Sequence, residues 1–207
     1  MDLALLSTTY FGPIQWYQKL YRYPHVMIEQ HDSFIKQTYR NRCIIATAQG
    51  PQALTVPITK ASPPRGSQEG GLEGVLLSDH GNWRHQHWQA ITSAYGDSPF
   101  LEYYEDDLRP FFFEHRWELL IDYNEDICTT MCRLLDIHPN ISRTSEYQKG
   151  GAFDDFRQAI HPKHPAPDPD FEPHPYYQVF SQRHGFLPNL SILDLLLNMG
   201  PESIFYL

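Results

Sequence analysis

Cysteine is scarce, with three in 207 residues. An odd number cannot all pair within one chain, so a reduced interior with buried thiols is expected rather than a disulfide framework. Long hydrophobic runs are also missing. The most apolar stretch, Leu190 to Met199, is far too short to span a bilayer. No cationic flank followed by an apolar core opens the sequence, so no secretory signal is expected and the cytoplasm is the expected location. Positive charge is in short supply: 16 Lys and Arg stand against 25 Asp and Glu, a net −9 with histidine neutral. That balance repels a phosphate backbone, which disfavours nucleic acid as a partner. A Gly-rich phosphate loop, a nucleophile elbow and a His-Glu-x-x-His zinc motif are all lacking. Cys128 and Cys132 share a helical face, but no second pair at metal-site spacing accompanies them. No metal is therefore expected, and no motif names a cofactor.

What is present is ordinary globular material, 41% hydrophobic, with an unusually high 14% of aromatic residues. Residues 1–207 fit one domain with a real core, in which a Tyr- and Phe-rich interior accounts for the rings more simply than a sugar or base site. Leu3 to Leu6 reads as a short buried strand. Tyr10-Phe11-Gly12-Pro13 is a tight connection, in which Gly12 allows unusual φ and Pro13 suits a first helical turn. Ile14 to Tyr23 reads as a helix stopped by Pro24, and His25 to Ile28 as a second strand. Such a strand–helix–strand unit predicts parallel strands. Cys43 to Ala46 and Ala53 to Ile58 look like a hairpin, Ser62 to Gly74 like a loop, and Val75 to Leu77 like an edge strand. From Trp83 the pattern turns helical. Trp83, His87, Ile91 and Tyr95 share one face, and Trp117 to Leu135 carries the clearest apolar stripe. Prolines at 162, 165, 167, 169, 173 and 175 make the His-rich segment 161–175 a stiff connector or lid. Ser191 and Asp194 have capping-box spacing at the head of a short C-terminal helix that must be buried. The expected fold is α/β: a small parallel or mixed sheet from the N-terminal half, with a mainly helical C-terminal half packed on it.

A parallel sheet binds ligands at the carboxyl ends of its strands, beside helix N-termini. Here that place is the Thr8–Tyr17 connection, where Thr8, Thr9, Tyr10 and Gln15 offer polar groups and the first helical turn offers N–H groups to an anion. The bland account is an N-cap from Thr8 or Thr9 with the aromatics as core. Lys36-Gln37-Thr38-Tyr39-Arg40-Asn41-Arg42 holds three cations and an amide in seven residues, which suits a phosphate as well as a solvated surface segment. His87 reads as a core histidine or as a general base. His85, two residues away, points to another face.

In this order the segments resemble the WbqC-like protein family, found in bacterial gene clusters for O-antigen and other surface polysaccharides. Thr9-Tyr10-Phe11-Gly12-Pro13-Ile14-Gln15-Trp16-Tyr17 is similar to the family's opening Gln-Pro-x-Phe-x-Pro-x-x-Gly-Tyr. Lys36 to Cys43 and Leu54-Thr55-Val56-Pro57-Ile58 look like its Lys, Asn-Arg-Asn and Leu-Thr-Val-Pro run. Trp83, His87, Ile91, Tyr95 and Ser98-Pro99-Phe100 follow, and Phe186 to Leu196 is similar to its C-terminal motif. Thr8 and Trp16 stand where the family has Gln and Gly, and Gln30 and His31 where it has paired acids. The resemblance implies a site formed by Tyr10, Pro13, Gln15, Tyr17, Asn41, Arg42, Asn189 and Asp194, with catalytic roles for Lys36, which would hold phosphate with Arg42, and for His87 as the candidate base. It implies a group-transfer enzyme of polysaccharide biosynthesis, moving an acyl or aminoacyl unit to a nucleotide-activated sugar. The alternative is a non-catalytic partner protein of the same pathway.

Overall fold

Leu3–Ser7 forms strand β1, Ile14–Arg22 helix α1 and His25–Glu29 strand β2 in the computed structural model, which describes residues 2–60 and 71–207. The two strands pair in parallel, from Leu3 with His25 to Ser7 with Glu29. Pro24 ends α1 as expected: the residue before it, Tyr23, turns extended at φ −92° and ψ 131°. The connection between β1 and α1 differs from the sequence reading in one respect. The left-handed residue is Phe11, at φ 40°, and not Gly12. Gly12 is required by proximity instead, because a Cβ there would lie 2.4 Å from Thr9 Oγ1.

The expected hairpin forms from β3 (Arg42–Thr47) and β4 (Gly50–Thr55), with Gly50 at φ 105° in the turn. The run Ala53–Ile58, however, is not one strand. It breaks at Val56 and Pro57, because Pro57 has no N–H to continue a ladder. Val56 donates its N–H to Asn41 O instead. Beyond the break, β5 (Ile58–Lys60) pairs with β6 (Val75–Leu77). The expected loop over 62–74 lies outside the described residues apart from its end, where Leu72–Gly74 makes a short 3-10 turn.

The helical half comprises α2 (Trp83–Tyr95), α3 (Leu101–Leu108), α4 (Pro110–Phe113) and α5 (Leu120–Leu134). Two short strands then return to the first sheet, β7 (Ile141–Arg143) beside β2 and β8 (Asp154–Asp155) beside β1. The parallel order is β7-β2-β1-β8. Neither was legible in the sequence, being three and two residues long with no apolar alternation. The chain closes with α6 (Ser181–His184) and α7 (Ile192–Met199). Segment 161–175 carries no helix or strand.

The core lies where α1, α2 and α7 meet. The stripe Trp83, His87, Ile91 and Tyr95 is buried as its spacing requires. Helix α7 is enclosed from Ile192 to Leu197, so Leu196→Ala is expected to cost about 2–5 kcal/mol. Rings of Tyr10, Phe11, Phe111, Phe112, Trp117 and Tyr123 contact one another around the opening loop. The aromatic surplus of the sequence is spent on this interior. Among the described residues, no helix is long and apolar enough to cross a membrane.

Candidate functional site

The head of α1 is closed to an anion. Ile14 donates its backbone N–H to Leu190 O, Gln15 to Asn189 Oδ1, and Trp16 and Tyr17 to Pro13 O. The three N–H groups that this helix leaves free at its start, those of Ile14, Gln15 and Trp16, are thus occupied by the chain itself, and Tyr17 makes the first helical bond. Neither Thr8 nor Thr9 caps the helix; Pro13 occupies the cap position with no side-chain bond. Asn189 instead grips Gln15 twice, since its amide also donates to Gln15 Oε1 at 3.0 Å. Gln15 passes the contact on by donating to Asp168 Oδ2 at 2.8 Å. Lys19 makes a 2.8 Å ion pair with the same carboxylate, both side chains being buried. The Pro-rich segment is thereby pinned across α1.

The other expected site residues divide between core and surface. Tyr10 is fully buried, and its hydroxyl meets His87 Nδ1 at 2.9 Å. Burial pushes the His87 pKa down to about 4, against a smaller upward pull from a Thr55 backbone hydrogen bond. The ring is therefore neutral near pH 7. Asp194, also fully buried, accepts from Tyr95 Oη at 2.8 Å, Tyr176 Oη at 2.6 Å and Gln178 Nε2 at 2.9 Å. Its carboxylate is turned away from the capping role that its spacing suggested, and Ser191 alone caps α7. Asn41 donates to Val56 O. Lys36 is exposed, and Arg42 donates to Thr55 Oγ1 across the hairpin. The structure thus brings Tyr10 to His87 and Gln15 to Asn189, leaves Lys36 exposed, and brings Arg42 and His87 to the same residue, Thr55.

A cleft of about 470 Å³ opens on the other side of the first loop, between α5 and one face of β2 and β7. That volume is in the range of small-ligand sites. It reaches Thr8, one residue past the carboxyl end of β1, and is walled by Trp16, Ile28, Ile121, Ile137, Pro139 and Ile141. Cys128 and Cys132 line it from α5 with sulfurs 3.9 Å apart. The Cys128 thiol is pushed well up, first by its hydrogen bond with Cys132 and then by burial. Such a thiol is inert as a nucleophile. Asn124 forms part of the lining; its amide donates to Arg40 O at 2.8 Å, which leaves Oδ1 buried without a partner. Three basic residues, Arg133, His138 and Arg143, complete the lining near solvent. Arg133 is held by Asp107 at 2.7 Å and Arg143 by Asp122 at 2.8 Å and by Glu125. Partial burial lowers the Arg143 pKa, but these two carboxylates outweigh it and raise the net value.

Behind Thr8 and Trp16 lies a second, enclosed chamber of only about 10 Å³, the room of a single water. Ser7, Thr9, Arg40 and Arg157 line it. Arg40 pairs with Asp32, while Arg157 pairs with Asp155 at 2.6 Å and approaches Glu29 at 3.5 Å. Asp32, Asp155 and Glu29 stand outside that lining, which carries three buried polar atoms without a hydrogen-bond partner, Ser7 Oγ, Thr9 Oγ1 and Arg40 Nε. Sequence reasoning missed the cleft because its residues come from α5 and β7. The available signal was cationic spacing, with Arg133, His138 and Arg143 each five apart.

A mixed α/β fold with a cleft of about 470 Å³ beside the carboxyl end of its first strand is the class that these features define. The chain belongs to the WbqC-like protein family, whose pattern matches residues 8–161. It is also similar to a Mycobacterium tuberculosis protein named "Uncharacterized protein Rv1507c". The two are 24% identical over 229 aligned residues, which cover 99% of this chain and 96% of that one. No solved structure matches the chain.

Proposed function

We propose that this chain binds a phosphorylated small molecule, a nucleotide-activated sugar, in the α5 cleft and transfers an acyl or aminoacyl group to a hydroxyl or amine of it from an activated donor of the thioester or acyl-phosphate class, whose thiol or phosphate departs as the new bond forms. The setting is the cytoplasmic assembly of bacterial surface polysaccharide, an assignment that rests on the family. The observation that carries the binding reading is the cleft itself: apolar walls inside, with Arg133, His138, Arg143 and the carboxylate of Glu125 at its solvent side, where a phosphate would compete with Asp107, Asp122 and Glu125 for the two guanidiniums. An organic body suits such walls, and guanidinium forks suit a phosphate.

Thermal-shift titration with a panel of nucleotide sugars and ATP tests this. Stabilisation by a nucleotide sugar, reduced in Arg143→Gln and unchanged in Lys36→Ala, is the expected result. If no panel member stabilises the protein, the non-catalytic partner reading replaces this one. That rival draws on Tyr103 and Phe205, which are 80% and 79% exposed.

A further inference from the structure

We infer that the part of the ligand buried in the α5 cleft is its nucleobase, with the sugar left towards solvent and Asn124 reading the base edge. This rests on the reading of the cleft as a phosphorylated-ligand site and names which half of the ligand goes inside. Asn124 is 1% exposed. Its amide nitrogen is committed to Arg40 O, so the rotamer is fixed and Oδ1 is left as a pure acceptor without a protein partner. A buried acceptor in this condition favours a ligand that brings an N–H or O–H to it.

The walls decide between the two kinds of donor. Trp16, Ile28, Ile121 and Ile137 offer apolar surface, whereas the polar groups of the deeper lining are few, chiefly Thr8 and Asn124. A hexose would carry several hydroxyls into that space and leave most of them without partners. A base carries two flat apolar faces and concentrates its donors along one edge. The phosphate then falls towards Arg133 and Arg143, which lie at the solvent side of the same cleft.

The test compares the affinities of uridine 5′-monophosphate, adenosine 5′-monophosphate and glucose 1-phosphate by titration calorimetry. It uses the full chain and the variant Thr129→Trp. Thr129 lines the cleft from an exposed position of α5, so the larger ring fills the cleft while disturbing the core little. At least one nucleotide is expected to bind about tenfold or more tightly than glucose 1-phosphate, and Thr129→Trp to erase that advantage. The melting temperature of unliganded Thr129→Trp confirms that it folds. Should Thr129→Trp fail to fold, Thr129→Phe replaces it. Glucose 1-phosphate binding as well as either nucleotide, with Thr129→Trp weakening all three, overturns the inference and leaves the phosphorylated-ligand reading standing. A nucleotide advantage that survives Thr129→Trp also overturns it, because the base then sits elsewhere. Absence of binding by all three compounds overturns both.

Discussion

The polar groups on the two sides of the Tyr10–Tyr17 loop are treated in opposite ways. Towards α2 and α7, Tyr10 meets His87, and Asp194 is saturated by Tyr95, Tyr176 and Gln178, with Asn198 Oδ1 on α7 as an exception. Towards α5, Asn124 Oδ1 and Tyr17 Oη have no hydrogen-bond partner, and Asn124 lines a cleft. Buried polar groups normally find partners, so the saturated side is built to hold the fold. The open side is where chemistry remains to be supplied from outside. Residues that the family resemblance singled out fall largely on the first side. Residues that line the α5 cleft fall on the second.

The comparison breaks most visibly at Asp194. Removing the carboxylate leaves two tyrosine hydroxyls and an amide facing an empty acceptor position. Asp194→Ala is therefore expected to cost about 3–5 kcal/mol, read as a melting-temperature fall of roughly 10 °C. Nucleotide affinity of the folded fraction should be unchanged. If affinity collapses while stability holds, Asp194 belongs to the binding side and the division fails.

His87 gives the next effect, and it is visible in pH. Its folded pKa of about 4 lies below the ordinary value of 6.5. The unfolded chain therefore takes up the proton first as pH falls, and stability drops across the window from 6.5 to 4. The contribution is at most about 3 kcal/mol at 1.36 kcal/mol per pKa unit. Denaturant unfolding of wild type and His87→Gln at successive pH values isolates this slope, and His87→Gln should flatten it. Equal slopes would mean that the ring takes up its proton in the fold as readily as in the unfolded chain.

Arg143 probes the other side. Its contacts with Asp122 and Glu125 are surface ion pairs, and such pairs contribute about 0–1 kcal/mol. Arg143→Gln should therefore barely change stability, yet weaken a phosphorylated ligand about tenfold, equivalent to 1.4 kcal/mol. Titration calorimetry beside a melting curve separates the two quantities. A large stability loss with unchanged affinity would place Arg143 among the structural groups.

How much of this was legible in the sequence follows from the range of each interaction. The β1–α1–β2 unit, the α2 stripe and the buried α7 announce themselves through local periodicity and through breakers such as Pro24. Strands β7 and β8 do not, because a sheet edge two or three residues long is imposed by its neighbour. The junction at Thr8 was singled out from the sequence, and the cleft reaches it. Its other wall was not, because α5 lies more than a hundred residues along the chain and meets the loop only through tertiary packing. The N–H groups at the head of α1 misled for the same reason. Asn189 and Leu190, remote in sequence, occupy two of them.

Tyr17 gives the smallest effect and the sharpest check on the division. It is fully buried, with Cys128 and Cys132 close enough to add to the strong rise that burial gives its hydroxyl pKa. That hydroxyl has no hydrogen-bond partner, so the folded state carries its desolvation without the usual return. Tyr17→Phe keeps the ring and deletes only that group. Stability is therefore expected to stay level or rise by up to about 1 kcal/mol, measured by denaturant unfolding at pH 7. A buried hydroxyl that was truly bonded would instead cost about 1 kcal/mol on removal. The same substitution on the saturated side, Tyr95→Phe, deletes a bond to Asp194 and should destabilise. Opposite signs for two tyrosines buried to the same degree would locate the boundary between the halves of the molecule; equal signs would erase it.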